Sequence, residues 1–326
     1  MFARRSARPN PGPGPAYNPG MTPAVALPRA ADNAPPRPAL SRRGFLKLCG
    51  GGLLAAGAAG AYARFVEPQW PTVEPVAMDF PDLPAALEGL RIAQLSDLHL
   101  SPRVPGAYLR EQFERTVALS PDVIVLTGDF ITRADSRYQD ELTELLGVLQ
   151  APLGVYAVLG NHDWGVYQGV FPVHIGPTWA DRIVKAVTAA GVRVLRNESH
   201  TIARGDAQLQ LVGLEDLWSG SCDPATAFRE VDPALPRFAL AHNPDTIINL
   251  KEYPCRWVLS GHTHGGQVRI PFFGAPILPV VNRRFDAGLV HVGTQRLYVN
   301  RGIGHLIPIR FNCRPEITLF TLTRTA

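Results

Sequence analysis

The sequence predicts an α/β fold, a sheet of short buried strands with helices packed on it, and three observations predict it. Short runs of β-branched and aliphatic residues alternate with stretches of helical length. Each run ends on a polar residue of the kind that binds metals or moves protons, which puts such residues along the carboxyl edge of a sheet. At 46% hydrophobic and 18% charged over 326 residues, the chain supplies a core large enough for such layers and is not a disordered polymer.

The first element is an address. Residues 1–40 are dense in Pro, Gly and Ala, show no hydrophobic period and are expected to form a disordered leader, with Met21 a second candidate start inside it. Ser41-Arg42-Arg43-Gly44-Phe45-Leu46-Lys47 and the small apolar run Leu48 to Ala63 follow. They resemble the twin-arginine export signal, which makes 41–63 a signal segment and 64–326 the catalytic body. The resemblance implies the export machinery as a partner and a place in the periplasm or cell envelope. Ala61-Tyr62-Ala63 offers a cleavage site. Left uncut, the run reaches the length of about 17 residues at which an apolar helix anchors in a membrane. Cys49 precedes that run, which argues against a lipoprotein.

The body follows in order. After a Pro-rich connector, Glu67 to Pro84, the pattern predicts a strand over Leu90–Leu95 ending at Ser96-Asp97 and a helix over Tyr108–Leu119. A second strand, Val123–Leu126, ends at Thr127-Gly128-Asp129. A helix near Asp140–Leu149 leads to Val155–Leu159, which ends at Gly160-Asn161-His162-Asp163. The second half predicts strands over Val192–Arg196 and Gln208–Leu214, a helix over Asp223–Glu230, and a strand over Phe238–Ala241 ending at His242-Asn243-Pro244. Trp257–Ser260 ends at Gly261-His262-Thr263-His264-Gly265-Gly266-Gln267, and Arg296–Asn300 and Glu316–Leu322 close the pattern. No internal repeat or linker divides residues 70–326.

Charge and cysteines exclude several classes. The formal charge of +4 is misleading, because residues 1–63 hold eight Lys/Arg against one acid, leaving 24 basic and 27 acidic residues elsewhere. A body of that sign lacks the positive footprint of a nucleic-acid binder, so no nucleic-acid partner is expected and a nuclease is disfavoured. Four scattered cysteines, Cys49, Cys222, Cys255 and Cys313, form neither a disulfide framework nor a C-x-x-C zinc site.

Five strand ends deliver Asp97 and His99, Asp129, Asn161 and His162, His242, then His262 and His264. The blocks SDLHL, TGDF, GNHD, AHNP and SGHTHGGQ resemble, in order, those of the calcineurin-like metallophosphoesterase superfamily. A single histidine at a strand end is more often structural than a ligand, whereas eight such residues in family order are not. The resemblance implies a four-layer αββα sandwich with a dinuclear site at the strand carboxyl ends. It implies Asp97, His99 and His264 on one metal, Asn161, His242 and His262 on the other, and Asp129 as the bridge. His162 is implied as the catalytic histidine beside the phosphate, with Asp163 orienting it. Asp and His donors suit two divalent or trivalent ions, Mn, Fe or Zn, better than Mg or Ca. Such a pair would hydrolyse a P–O bond by in-line attack of a metal-bridging hydroxide.

Gly128, Gly160 and Gly261 lie where strands turn into these residues, and Gly265-Gly266 let the chain double back. His174, His200, His291 and His305 fall outside the blocks; His305 follows Asn300-Arg301-Gly302-Ile303-Gly304 near the expected rim. Asn300-Arg301-Gly302 and the segment Ile309 to Ile317 resemble the C-terminal blocks of an exported or membrane-associated bacterial phosphodiesterase branch, where they help close the fold. Trp164, Tyr167, Phe171 and Trp179 either pack or form an apolar rim for a lipid or base. The expected function is a metal-dependent phosphoesterase, foremost a phosphodiesterase. Its alternatives are a UDP-diacylglucosamine-type pyrophosphate hydrolase or phospholipid phosphoesterase, whose lipid-linked substrate fits peripheral membrane association, and a non-catalytic binding protein on the same fold.

Overall fold

Alternation along the strands builds the layers in this computed structural model, which describes residues 41–167 and 173–325. The strands are β1 (Thr72–Phe80), β2 (Arg91–Leu95), β3 (Val123–Thr127), β4 (Val155–Val158), β5 (Val166–Tyr167), β6 (Val173–His174) and β7 (Arg193–Val194). They continue with β8 (Glu198–Arg204), β9 (Ala207–Gly213), β10 (Arg237–Leu240), β11 (Trp257–Ser260), β12 (Gly288–Val292), β13 (Gln295–Val299) and β14 (Glu316–Arg324). One sheet has the order β1-β14-β2-β3-β4-β7, another β12-β13-β11-β10-β9-β8, and β5 and β6 form a separate hairpin. β2, β3, β4 and β7 run parallel, as do β9, β10, β11 and β13, so the carboxyl ends within each group point one way.

Side chains one residue apart on a strand face opposite layers. Ile124 and Leu126 of β3 pack outward with Leu109 and Phe113 of α2 (Gly106–Ala118), Leu142 and Leu145 of α3 (Gln139–Leu146) and Ile183 of α4 (Pro177–Ala189). Val123 and Val125 pack inward against Leu209, Leu211, Phe238, Leu240, Trp257 and Leu259 of the other sheet. On that sheet Ala239, Val258 and Leu297 face a third cluster with Ile247 and Leu250 from the 3₁₀ helix Pro244–Leu250. Three apolar interfaces separate four layers, the expected αββα sandwich. The fourth layer is thinner than the pattern predicts, because Asp223–Glu230 yields only the four-residue helix Pro224–Ala227, capped where Asp223 accepts from the Thr226 amide at 3.1 Å.

The connector is a correction. Residues 72–80 are β1, paired in parallel with β14, and Glu67 is buried, accepting hydrogen bonds from the Asn312 and Cys313 amides. The prolines misled because Pro75 lies on an edge strand, where a missing N–H is tolerated. α4 was hidden by the aromatic segment before it, and β8 and β12 by their half-buried patterns.

The chain divides into two compact units at Gly50–Gly51, inside the helix Arg42–Ala61. Of the first unit only residues 41–50 are described, helical from Arg42, so the expected leader 1–40 lies outside the described residues. The helical stretch Arg42–Gln69, 28 residues, is long and apolar enough to cross a membrane.

Candidate metal centre

The strand ends bring the predicted donors together. Gln94, on β2, donates to Thr127 Oγ1 at 3.0 Å and to the Ser260 carbonyl at 2.9 Å, locking the carboxyl ends of the two sheets to each other. Close approach there requires glycine: a Cβ on Gly128 would fall 2.4 Å from the Gly160 nitrogen, and one on Gly261 would fall 2.3 Å from Asp97 Oδ2. Five donor residues, Asp97, His99, Asp129, His262 and His264, take φ between 50° and 71°. Asp and His enter this left-handed region more readily than bulky residues, yet each still carries strain of order 1 kcal/mol, a cost typical of functional sites.

Two clusters result. Asp97, His99 and His264 form one: His264 Nε2 lies 3.4 Å from Asp97 Oδ1 and 3.0 Å from His99 Nε2. Asp129, His242 and His262 form the other: His242 Nε2 lies 3.3 Å from Asp129 Oδ2 and 3.1 Å from His262 Nδ1. Asp129 Oδ2 is also 3.5 Å from His99 Nε2, so this carboxylate adjoins both. Asn161 joins the second cluster's rim: its amide nitrogen donates to the Val166 carbonyl at 2.7 Å, while its buried Oδ1 meets no protein partner.

These residues fit cations. Donor pairs 3.0–3.5 Å apart match the edges of a coordination shell with metal–nitrogen distances of about 2.0–2.1 Å, and the orphaned Asn161 oxygen is the sort of acceptor that such a shell uses. Burial holds His99 and His264 well below the usual imidazole range and His262 down at about 3, keeping them neutral as ligands must be. Asp129 stays well below the usual carboxylate range although burial opposes this, because His242 and His162 face it. His242 is the converse: despite burial, Asp129 raises it to about 10, a proton standing where a cation would supply the same charge. Burial lifts Asp97 to about 7, with His242 pulling the other way.

His162 is partly exposed, donates from Nδ1 to the Thr132 carbonyl at 2.6 Å and turns Nε2 toward Asp129 Oδ2, 4.0 Å away. Asp163 does not orient it, which corrects the sequence reading. Its Oδ2 accepts from the Asp129 and Gly160 amides at 2.7 and 2.8 Å and its Oδ1 from Phe130 at 2.8 Å, so it pins the turns that carry Asp129 and Asn161. Burial, with the Asp129 charge added, pushes Asp163 up to about 8.

A cavity of about 630 Å³ opens over the clusters. One wall is polar (Asp129, Asn161, His162, His262, His264); facing it are Leu278, Pro279, Val280, Val281 and Leu306, with Tyr167 and Trp218 at the sides. Of the aromatic quartet only Tyr167 reaches the cavity; Trp164 and Trp179 are buried in the core, and Phe171 lies outside the described residues. Sequence reasoning missed Trp218, packed edge-on to His262 with centroids 4.4 Å apart, and Asp216, buried near His242 and raised to about 6 mainly by burial. The signal was present: Gly213-Leu214-Glu215-Asp216 repeats the strand-then-acid pattern. Buried Arg310 reads as closure, donating to the Arg301, Gly302 and Gly304 carbonyls at 2.8, 3.1 and 2.6 Å, while the Gly304 amide donates to the Asp97 carbonyl at 2.8 Å. His305 is buried beside that segment.

Comparison with known proteins follows the same lines. Residues 90–266 match the calcineurin-like phosphoesterase family. The chain is 35% identical over 300 residues to uncharacterized metallophosphoesterase YkuE of Bacillus subtilis, covering 88% of this chain and 99% of that one. It is 35% identical over 284 residues to phosphodiesterase YaeI of Escherichia coli, covering 87% and 99%. It is 34% identical over 302 residues to UDP-2,3-diacylglucosamine pyrophosphatase LpxG of Chlamydia trachomatis, covering 79% and 91%.

Proposed function

The chain belongs to the calcineurin-like phosphoesterase family and is a metal-dependent phosphoester hydrolase, and from that premise we propose a two-cation phosphodiesterase with its ligands divided between the clusters. Asp97, His99 and His264 hold one ion, Asn161, His242 and His262 the other, and Asp129 serves both. The observation that carries this is the position of Asp129 Oδ2, 3.5 Å from His99 Nε2 and 3.3 Å from His242 Nε2. Manganese, iron or zinc suits the donor set. Two such ions would supply Lewis acidity toward the phosphate oxygens and a nucleophile at neutral pH.

The chain's own residues do the rest. His162 Nε2 faces the cavity; with the Nδ1 proton committed to the Thr132 carbonyl, the neutral ring offers a lone pair there, and the protonated ring would donate to a phosphate oxygen or to the leaving oxygen. Leu278, Val280, Val281 and Leu306 offer an apolar wall to the ester's organic part. That wall favours a second reading within the class, a lipid-linked pyrophosphate, the kind of substrate that the name of the Chlamydia relative indicates for that protein. The Ser41–Lys47 motif and the apolar run after it support export by the twin-arginine route. Retention of that run as an anchor is supported by buried Ala63, whose carbonyl accepts from the Arg310 amide at 2.9 Å and would be lost on cleavage there.

The test is turnover of bis-p-nitrophenyl phosphate against p-nitrophenyl phosphate by the manganese-loaded protein, with Asp129→Asn as the blank. The expected result is a preference for the diester. A preference for the monoester, or equal rates in the blank, overturns the assignment.

A further inference from the structure

Most of the cavity's apolar wall, Leu278 to Val281, belongs to a loop that also carries large bare apolar residues. After His264 the chain doubles back so closely that a Cβ on Gly266 would fall 2.4 Å from the Ala275 Cβ. It then forms a tight turn in which Ile270 and Gly274 exchange backbone hydrogen bonds at 2.9 Å in both directions. At the tip stand Phe272, fully exposed and at φ 69°, and Phe273, 85% exposed; Ile277 and Val281 farther along are 79% and 93% exposed. A phenylalanine in the left-handed region that gains no burial is a net cost to folding. The same loop reaches the reaction centre, since His262 Nε2 donates to the Pro279 carbonyl at 2.9 Å. Large bare apolar side chains gathered on one loop mark an interaction site.

Two observations identify what covers it. Arg269 is paired with Asp286 at 2.8 Å and Asp245 is spent on the Val281 and Asn282 amides, which leaves exposed Arg283 and Arg284, at the foot of the loop, as its charges without an acidic partner among the described residues. An apolar tip with a basic collar matches the boundary of an anionic lipid leaflet. The second observation is where the chain enters the body. The Arg310 amide donates to the Ala63 carbonyl, and the next residue, Phe311, accepts from the Arg269 amide at 2.8 Å. The carboxyl end of the stretch of membrane-spanning length and apolarity, residues 63–69 with exposed Phe65, therefore lies at the base of this loop.

Resting on the phosphodiesterase reading, we propose that the loop 268–281 seats on an anionic bilayer surface, with Phe272 and Phe273 inserted at the acyl boundary. The site's substrate is then a membrane-resident phosphoester, whose head group enters the cavity while its apolar part remains on the loop side.

The experiment uses the full chain reconstituted in vesicles of phosphatidylcholine and phosphatidylglycerol with brominated acyl chains. Phe273→Trp adds an indole whose emission, taken as the difference from the parent protein, is expected to be mostly quenched. The double variant Phe272→Ser/Phe273→Ser is expected to lose about tenfold in turnover of phosphatidylglycerol in those vesicles, because its interfacial apolar area is gone. Its rate on soluble bis-p-nitrophenyl phosphate should equal the parent's. Unquenched emission from a protein that still hydrolyses the soluble diester overturns the docking surface alone. Quenched emission from a protein that hydrolyses neither ester supports docking and overturns the phosphodiesterase reading. Equal loss on both esters in the double variant shows a disturbed fold rather than a lost surface, and also counts against the proposal.

Discussion

The two donor clusters are built from the same residue types but held differently. Around Asp129 the outer atom of each imidazole or amide donor is tied to a backbone carbonyl: His242 Nδ1 to Thr127 at 2.7 Å, His262 Nε2 to Pro279 at 2.9 Å, and Asn161 Nδ2 to Val166 at 2.7 Å. A carbonyl only accepts, so each bond fixes which ring nitrogen carries the proton and leaves the other lone pair facing inward. Around Asp97, the Nδ1 atoms of His99 and His264 are buried without a hydrogen-bond partner. Their rings stack at 4.9 Å instead, and Gly302 closes over His264, where a Cβ would sit 3.2 Å from Nδ1. Asp97 itself accepts from Ser96 Oγ and the His262 amide, so the contrast lies in the imidazoles, oriented by hydrogen bonds in one cluster and by shape in the other, and hydrogen-bonded outer nitrogens commonly change metal affinity about 10- to 100-fold. The Asp129 cluster should therefore be the tighter of the two.

The most damaging change removes what the clusters share. Asp129→Asn should lower diester turnover by more than about 10³-fold and leave less bound metal than the parent by elemental analysis. His162→Ala removes none of the assigned donors, although the ring packs edge-on to His99 at 4.8 Å, and should lose about 10²- to 10⁴-fold with its metal content largely intact. Equal metal loss in the two variants would sink this division of roles.

The difference between the clusters was invisible in the sequence, although their membership was not. Asp97, His99, Asp129, Asn161, His162, His242, His262 and His264 were legible because each follows a short apolar strand, and parallel strands must bring such residues to one edge. β11 was read to the residue for the same reason, as a fully buried run between polar ends. What holds the outer nitrogens was not legible, since Thr127, Val166 and Pro279 contribute carbonyls, which every residue has. β1 failed on Pro75, since the meaning of a proline depends on whether a strand lies at an edge, and that is a property of the whole sheet. The bare loop was not legible for a related reason: whether Phe272 and Phe273 are buried depends on the whole fold, which leaves them outside.

A smaller effect sharpens the comparison directly. Titration of the apoprotein with manganese by calorimetry should show two steps separated by about 10- to 100-fold in affinity. His99→Ala should erase the weaker step and keep the tighter one, and His242→Ala should do the reverse. Two equal steps in the parent, or loss of the tighter step in His99→Ala, would show that the unpartnered imidazoles of the Asp97 cluster are no handicap.

The least effect is expected at Asp163, which separates a backbone role from an acid–base one. Its two oxygens accept three amides, from Asp129, Gly160 and Phe130. In Asp163→Asn one of those positions becomes an N–H facing an N–H, a mismatch worth about 1–3 kcal/mol of stability. The turns carrying Asp129 and Asn161 should loosen, and turnover should fall about 10-fold. His162 hydrogen-bonds to Thr132 and not to Asp163, so the shape of the pH–rate profile should be the parent's. A displaced acid or basic limb in that variant would mean that Asp163 acts on His162 after all. An unchanged profile with lower metal affinity places its influence on the Asp129 side of the site, where hydrogen bonds rather than shape do the orienting.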